Sequence, residues 1–227
     1  MNQLPLFDLP AAPWVFDPLE PGAYDVVVAD PPWRFATYSP KGKEKKSAER
    51  HYDTMTLEDI KALPVGDLAT PDCALFLWAT APMLREALAV MDSWGFEYKS
   101  HGIWGKVTVK GRLAFGTGYR IRNSHEIWLI GTRGNPKNTK GERSLLMAPL
   151  RDHSRKPDEF YTLVERWMPN ARRADLFSRQ TRPNFESWGF ERHKFDGSPP
   201  AHNQGEDQCC LTQTKLNSAP SAVPFAP

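Results

Sequence analysis

Cysteine is nearly absent from the 227-residue sequence: Cys73 stands alone, and Cys209 and Cys210 are adjacent near the far end. Three thiols so placed build no disulfide framework and no zinc-ligand spacing. A reducing, cytoplasmic setting is the expectation that follows. No stretch approaches the roughly 20 apolar residues of a membrane span. The opening MNQLPLFDLPAAPW lacks the basic region and apolar core of a signal peptide. Excess charge is missing too. The 29 basic and 27 acidic residues leave a formal net charge of only +2, so a nucleic-acid partner would have to be met by local patches. No internal repeat is apparent. Histidine is scarce, and the adjacent His125 and Glu126 would face opposite sides of a strand, which argues against a metal pair. No metal site is expected.

What is present is organised around Tyr24 to Trp33, YDVVVADPPW. Val26 to Ala29 form a short apolar run without helical spacing, the pattern of a fully buried parallel strand. Pro31 and Pro32 lack a donor and fix φ, so the strand must leave its ladder at Asp30. In an open α/β sheet, the carboxyl ends of the strands are where ligands bind. An ordinary strand-ending turn with a packed tryptophan would read the same way over these ten residues.

The rest of the chain supplies one α/β domain. Residues 1–22, with five of the 21 prolines, read as an extended arm packed by Leu6, Phe7, Trp14 and Phe16. The domain itself is expected over 23–196, and the Pro-containing, charge-poor segment 197–227 reads as a flexible tail. Strands are expected at Cys73–Trp78, Phe96–Trp104, His125–Ile130, Leu145–Pro149 and Ala174–Phe177. Helices are expected after the Thr56 cap, after Pro82 with Leu84, Leu88 and Met91 buried, and after Pro157 with Phe160, Leu163, Val164 and Trp167 buried. Two excursions interrupt this order. Residues 34–52 carry Lys41, Lys43, Lys45, Lys46, Arg50 and His51, and form either a lid over the site or a solvated loop. His51 itself is either a gate or simply solvated. Residues 105–122 carry four glycines with Lys106, Lys110, Arg112, Arg120 and Arg122, an interface or a phosphate-facing strip. Both basic groups are equally readable as solvated faces.

Asp30 carries the chemistry. An exocyclic base amine is a weak nucleophile because its lone pair is delocalised into the ring. A carboxylate accepting its hydrogen bond, with a backbone carbonyl held by proline, would localise that pair. Trp33 offers a plane for a base taken out of its stack. Trp78 is core or pocket, and Glu126 lines the substrate cavity or merely the strand.

The sequence resembles the MT-A70 family of S-adenosylmethionine-dependent adenine N6-methyltransferases. The likeness rests on Asp30-Pro31-Pro32-Trp33, His51-Tyr52-Asp53-Thr54-Met55, Leu75-Phe76-Leu77-Trp78, Trp94-Gly95-Phe96, and His125-Glu126. It continues through the block from His153 to Glu159, Asp175 to Arg179, and Ser187-Trp188-Gly189. It spans roughly Tyr24 to Glu191. The resemblance implies an α/β, Rossmann-like methyltransferase fold, with a mostly parallel sheet, helices on both faces, and the DPPW segment ahead of the main cofactor-binding segment. It implies catalysis by Asp30, Pro31, Pro32 and Trp33, and S-adenosylmethionine held by Asp30, Lys156, Asp175, Leu176, Arg179, Asn184 and Glu191. Substrate would meet Trp33, Lys41, Lys43, Lys45, Lys46, Arg50, His51 and Glu126. Phe190 departs from the polar residue usual there, which puts a cofactor contact at that position in doubt.

The family pairs as homodimers or with a degenerate partner, and 105–122 is the interface expected. A compact chain without an added RNA-binding domain looks more like bacterial or phage members, so the substrate expected is adenine in DNA, in a bacterial or phage-infected cell. Adenine in RNA is the alternative, and a non-catalytic nucleic-acid-binding subunit is the third reading.

Overall fold

A computed structural model describes residues 13–34, 54–116, 118, 120–152 and 154–197. The lysine-rich group Lys41, Lys43, Lys45, Lys46, with Arg50 and His51, lies outside the described residues, as do Leu6, Phe7 and the segment 198–227.

Strand β1 (Tyr24–Ala29) is buried at every position but Asp25. It is flanked on both edges by parallel neighbours, β2 (Ala69–Ala79) and β6 (Arg173–Leu176). That is why its sequence reads as an uninterrupted apolar run rather than an alternation. Beyond β6 lies the three-residue parallel strand β7 (Glu186–Trp188). Beyond β2 come β4 (His125–Arg133), β3 (Glu97–Val107) and β5 (Leu145–Pro149), giving the order β5-β3-β4-β2-β1-β6-β7. Here the sheet departs from the parallel expectation. β4 runs antiparallel to both of its neighbours, while β5 is parallel to β3. The fold is therefore α/β with a mixed sheet. The cause is local: β3 and β4 are joined by an excursion with no crossover helix among its described residues, and adjacent strands joined without a crossover run antiparallel.

Strand alternation divides the core into two layers. Val27, Ala29, Leu75 and Leu77 face helices α1 (Leu57–Ala62) and α2 (Leu84–Ser93), with Ile60, Ala87, Val90 and Met91 buried against them. The arm's Phe16 joins this layer, its ring centre 5.0 Å from that of Trp188 in an edge-on pair. Thr56 caps α1 by accepting from the Asp59 amide at 3.1 Å, as expected. The stripe expected on α2 is rotated, because Leu84 is 40% exposed and Ala87 and Val90 take its place. Two turns of 3-10 helix flank these elements, Val65–Leu68 before β2 and Ala81–Met83 before α2.

On the opposite face, Val26, Val28, Phe76, Trp78 and Trp128 pack against helix α3 (Asp158–Trp167). Phe160 of α3 lies 4.7 Å from Trp78 and 5.2 Å from Trp128, ring centre to ring centre. Such tilted and edge-on pairs add about 0.5–1.5 kcal/mol each beyond the area they bury. Gly102 is the counterpart of this layer: a β-carbon there would sit 2.2 Å from the Trp128 ring. Gly102→Ala is expected to destabilise the protein by about 1–3 kcal/mol through overpacking. Urea denaturation measures it, and an unchanged midpoint would show that Trp128 can move aside.

Candidate active site

Asp30 follows the last residue of β1 and lies on the same face as Val26 and Val28, the α3 face. Its amide donates to the Leu176 carbonyl at 3.3 Å, so β1 and β6 stay joined up to the point where the prolines end the ladder. The Trp33 amide donates to the Pro31 carbonyl at 2.8 Å, and the Met55 amide to the Pro32 carbonyl at 3.2 Å, which fixes the turn. Trp33 is only 4% exposed, packed into the α1–α2 layer, with its indole N–H donating to the Trp78 carbonyl at 2.9 Å. Its ring braces the turn from behind and offers no open face for a base, unlike the plane expected from sequence.

Three charged groups meet in front of Asp30. Lys156, in the segment leading into α3, places its Nζ 3.0 Å from Asp30 Oδ2 and 3.2 Å from Glu126 Oε2. Glu126 reaches this end of the sheet because β4 is reversed and so delivers its second residue there. Lys106, near the end of β3, closes the row at 2.5 Å from Glu126 Oε1. The rings of Trp78 and Trp104 line it, 5.1 Å from Lys156 Nζ and 4.6 Å from Lys106 Nζ.

Burial raises the Asp30 carboxyl above its usual range, even though Lys156 opposes the rise. For Glu126 burial also pushes upward, but Lys156 and Lys106 outweigh it and bring the value down to about 2. Burial alone would lower the Lys156 ammonium. Its two carboxylates more than offset that and hold it charged.

Beside this row, Asp175 ends almost completely buried on β6, next to Val28 of β1. Its carboxyl is 3.5 Å from Arg182 Nη1. Burial raises it to about 6 against the lowering by Arg182 and by hydrogen bonds from Ser178 and Tyr161. Arg182 lies flat over Tyr161, 3.6 Å from the ring centre, and is also 3.5 Å from Asp158. After β6 the chain turns through Phe177, whose φ is 60°. A left-handed non-glycine residue is a strained choice that recurs at functional strand ends. Leu176 turns its side chain into the opposite layer, leaving only its backbone on this side.

Asp30, Lys156, Asp175, Arg179, Arg182, Arg155 and Tyr161 line one cavity of about 20 Å³. Glu191 stands behind it, 3.4 Å from Arg179 Nε and 2.5 Å from Lys194 Nζ. Asn184 is not brought to this end. It precedes β7 at the amino end of the sheet and donates to Glu165 of α3 at 3.0 Å. Phe190 is fully exposed. Sequence reading placed Lys106 in a phosphate-facing or interface strip rather than against Glu126, and gave Arg155 and Tyr161 no role at the site. The alternation Trp104–Lys106 opposite Glu126 could have indicated the first, and nothing in the sequence indicated that Tyr161 reaches Asp175. Among the described residues no cluster of His, Cys, Asp and Glu could hold a metal, and no helix is long and apolar enough to cross a membrane.

Comparison with known proteins matches residues 24–191 to the MT-A70 family. An Arabidopsis thaliana N(6)-adenosine-methyltransferase MT-A70-like protein is 34% identical over 161 residues, covering 70% of this chain and 22% of that protein. The human N(6)-adenosine-methyltransferase catalytic subunit METTL3 is 31% identical over 174 residues, 74% of this chain and 28% of its own length. The Type II methyltransferase M.MunI of Mycoplasma sp is 28% identical over 195 residues, 78% and 81%. The matched region thus spans 22% of the plant relative and 28% of the human one. These names correct the expectation of DNA as the preferred substrate. The plant, human, mouse, fly and zebrafish relatives are all named for adenosine, the ribonucleoside. The length of a chain says nothing about the sugar at the site. A bacterial or phage setting likewise finds no support in these plant and animal relatives.

The buried Asp175 makes stability depend on pH. Its folded value of about 6 lies above the roughly 3.9 of an unfolded aspartate, so the folded state binds the proton first as pH falls. Relative to Asp175→Asn, the wild-type protein is expected to gain stability between about pH 7 and pH 4, by up to about 3 kcal/mol. Paired urea titrations across that range check it, and parallel curves would show that Asp175 stays ionised.

Proposed function

The chain belongs to the MT-A70 family, and on that premise we propose that it transfers a methyl group from S-adenosylmethionine to the N6 amine of adenosine in RNA. The observation that carries the reading is the half-buried carboxylate Asp30, fixed at a proline-bounded strand end with Lys156 3.0 Å away. In this reading the mixed sheet is a Rossmann-like methyltransferase sheet with one strand reversed, and the DPPW turn precedes the cofactor segments in the chain.

The residues present suit the cofactor chemically. An amino-acid ammonium and carboxylate ask for acid and base side by side, as Asp30 and Asp175 stand among Lys156, Arg155, Arg179 and Arg182. Arg155 Nη2 and Arg182 Nε are buried without a hydrogen-bond partner, donors ready for a carboxylate or hydroxyl oxygen. Room is the obstacle. About 20 Å³ is far below the roughly 300–1,000 Å³ of small-molecule sites. Binding therefore requires side chains on this wall, Arg182 over Tyr161 among them, to move aside.

When bound, the cofactor supplies a methyl group on a positively charged sulfur. Asp30 accepts a hydrogen bond from the adenosine amine, which localises the lone pair on nitrogen. Its raised proton affinity lets one carboxylate oxygen hold the proton that the amine gives up. The Pro31 carbonyl accepts the second N–H alongside its bond from the Trp33 amide. Pro32 and the buried Trp33 keep the turn rigid, so orientation rather than a covalent intermediate provides the acceleration. Lys156 balances the charge of Asp30 and, with Asp175, the Leu176 backbone and Arg179, holds the cofactor. Glu191 acts through Arg179. Glu126 lines the base side, and the basic residues Lys41, Lys43, Lys45, Lys46, Arg50 and His51 contact phosphates. The exposed Val109, Leu113, Phe115 and Ile121 on the β3–β4 excursion support pairing with a second subunit.

Labelled S-adenosylmethionine, matched RNA and DNA oligonucleotides and nucleoside mass spectrometry test the reading. N6-methyladenosine is expected from RNA, and Asp30→Asn is expected to lose at least about 100-fold in kcat at saturating cofactor. Transfer undiminished in Asp30→Asn would sink the catalytic assignment, and transfer to DNA alone would sink the substrate assignment.

A further inference from the structure

Lys106 stands where two parts of the molecule meet. Its amide donates to the Ser124 carbonyl and its carbonyl accepts from the Ala114 amide, both at 2.8 Å, so it ties together the two legs of the β3–β4 excursion. Ser124 Oγ donates to the Ala114 carbonyl at 2.7 Å, closing the same base. Its side chain leaves that knot and reaches Glu126. The charged groups then alternate: Lys106, Glu126, Lys156, Asp30, two cations and two carboxylates with no net charge. Arg179 acts on Asp30 from the β6 side.

Each member depends on the next. Glu126 shares Lys156 with Asp30, one carboxylate at 3.2 Å and the other at 3.0 Å from the same nitrogen. Without Lys106, Glu126 would be a half-buried carboxylate with only that shared ammonium. Still ionised near neutral pH, it would draw Lys156 from Asp30. That disturbs Asp30 without any contact between Lys106 and Asp30.

We infer that Lys106 is a positioning residue, which through Glu126 holds Lys156 beside Asp30 and so ties the excursion to the active site. This rests on the catalytic role of Asp30 proposed above, and the first test below does not.

Carboxyl carbon shifts of glutamate-labelled protein, without cofactor or nucleic acid, follow Glu126 directly, with Glu126→Gln identifying its signal. Removing a cation raises a carboxyl's proton affinity, so Lys106→Met is expected to move the Glu126 midpoint up by about one pH unit or more, and Lys106→Arg to restore it. In the transfer assay, Lys106→Met is expected to lower kcat about tenfold and shift the acid limb of the rate profile to higher pH, again with rescue by arginine. An unmoved midpoint overturns the inference. So does a moved midpoint with an unmoved rate profile, because Glu126 would then not act on Asp30. If the wild-type protein transfers no methyl group, the catalytic reading falls and the titration alone decides whether Lys106 sets Glu126.

Discussion

A single buried ammonium shared by two carboxylates determines the arrangement of the active-site end of this protein. Lys156 lies within hydrogen-bond reach of Asp30 and Glu126, two half-buried acids whose charged forms it favours against the cost of burial. Three separate pieces of chain must be positioned for that contact. Strand β1 has to end at Asp30, β4 has to begin at the same edge, and the segment before α3 has to cross the sheet there. The aromatic layer beneath α3 is what sets these pieces against one another. Phe160 packs on Trp78 and Trp128, and the Trp78 ring in turn lies under Lys156. Packing and electrostatics are thus one device, since the rings that anchor α3 also exclude water from the charges.

Much of the fold was legible in the sequence where a local signal carried it. The apolar run ending at Pro31 fixed β1 and the place of Asp30, and Thr56 and the Pro157-Asp158-Glu159 start marked two helices correctly. Arg179 was expected beside Asp30 from its place just after a strand, whereas Lys156 and Asp175 were expected there only from the family resemblance. What could not be read was relative direction and angular position. Nothing local distinguishes a parallel from an antiparallel β4, since both are buried apolar runs. The α2 stripe was misplaced because Leu84 follows a 3-10 turn that rotates the helix start. β7 is too short to show a pattern. Asn184 stands apart from Asp30 because it comes ahead of β7, at the amino end of the sheet, where it bonds Glu165.

The charge inventory explains the size of the cavity. Acids and bases of this wall satisfy one another, with Arg182 over Tyr161 and 3.5 Å from Asp175. A site rich in both signs is drawn closed, whereas a site of one sign would repel itself open. The two guanidinium N–H groups left over, on Arg155 and Arg182, mark where that self-satisfaction is incomplete.

The reversed direction of β4 has a consequence for how the chain tolerates change in length. A parallel strand brings its last residues to the ligand-binding edge, so insertions ahead of it are absorbed before the site is reached. β4 brings its entrance there instead, and Glu126 comes one residue after the strand begins. Residues added between Ala114 and Ser124 fall beyond the bonds that close the base of the excursion, whereas those added between Ser124 and Glu126 are felt next to an acid of the site.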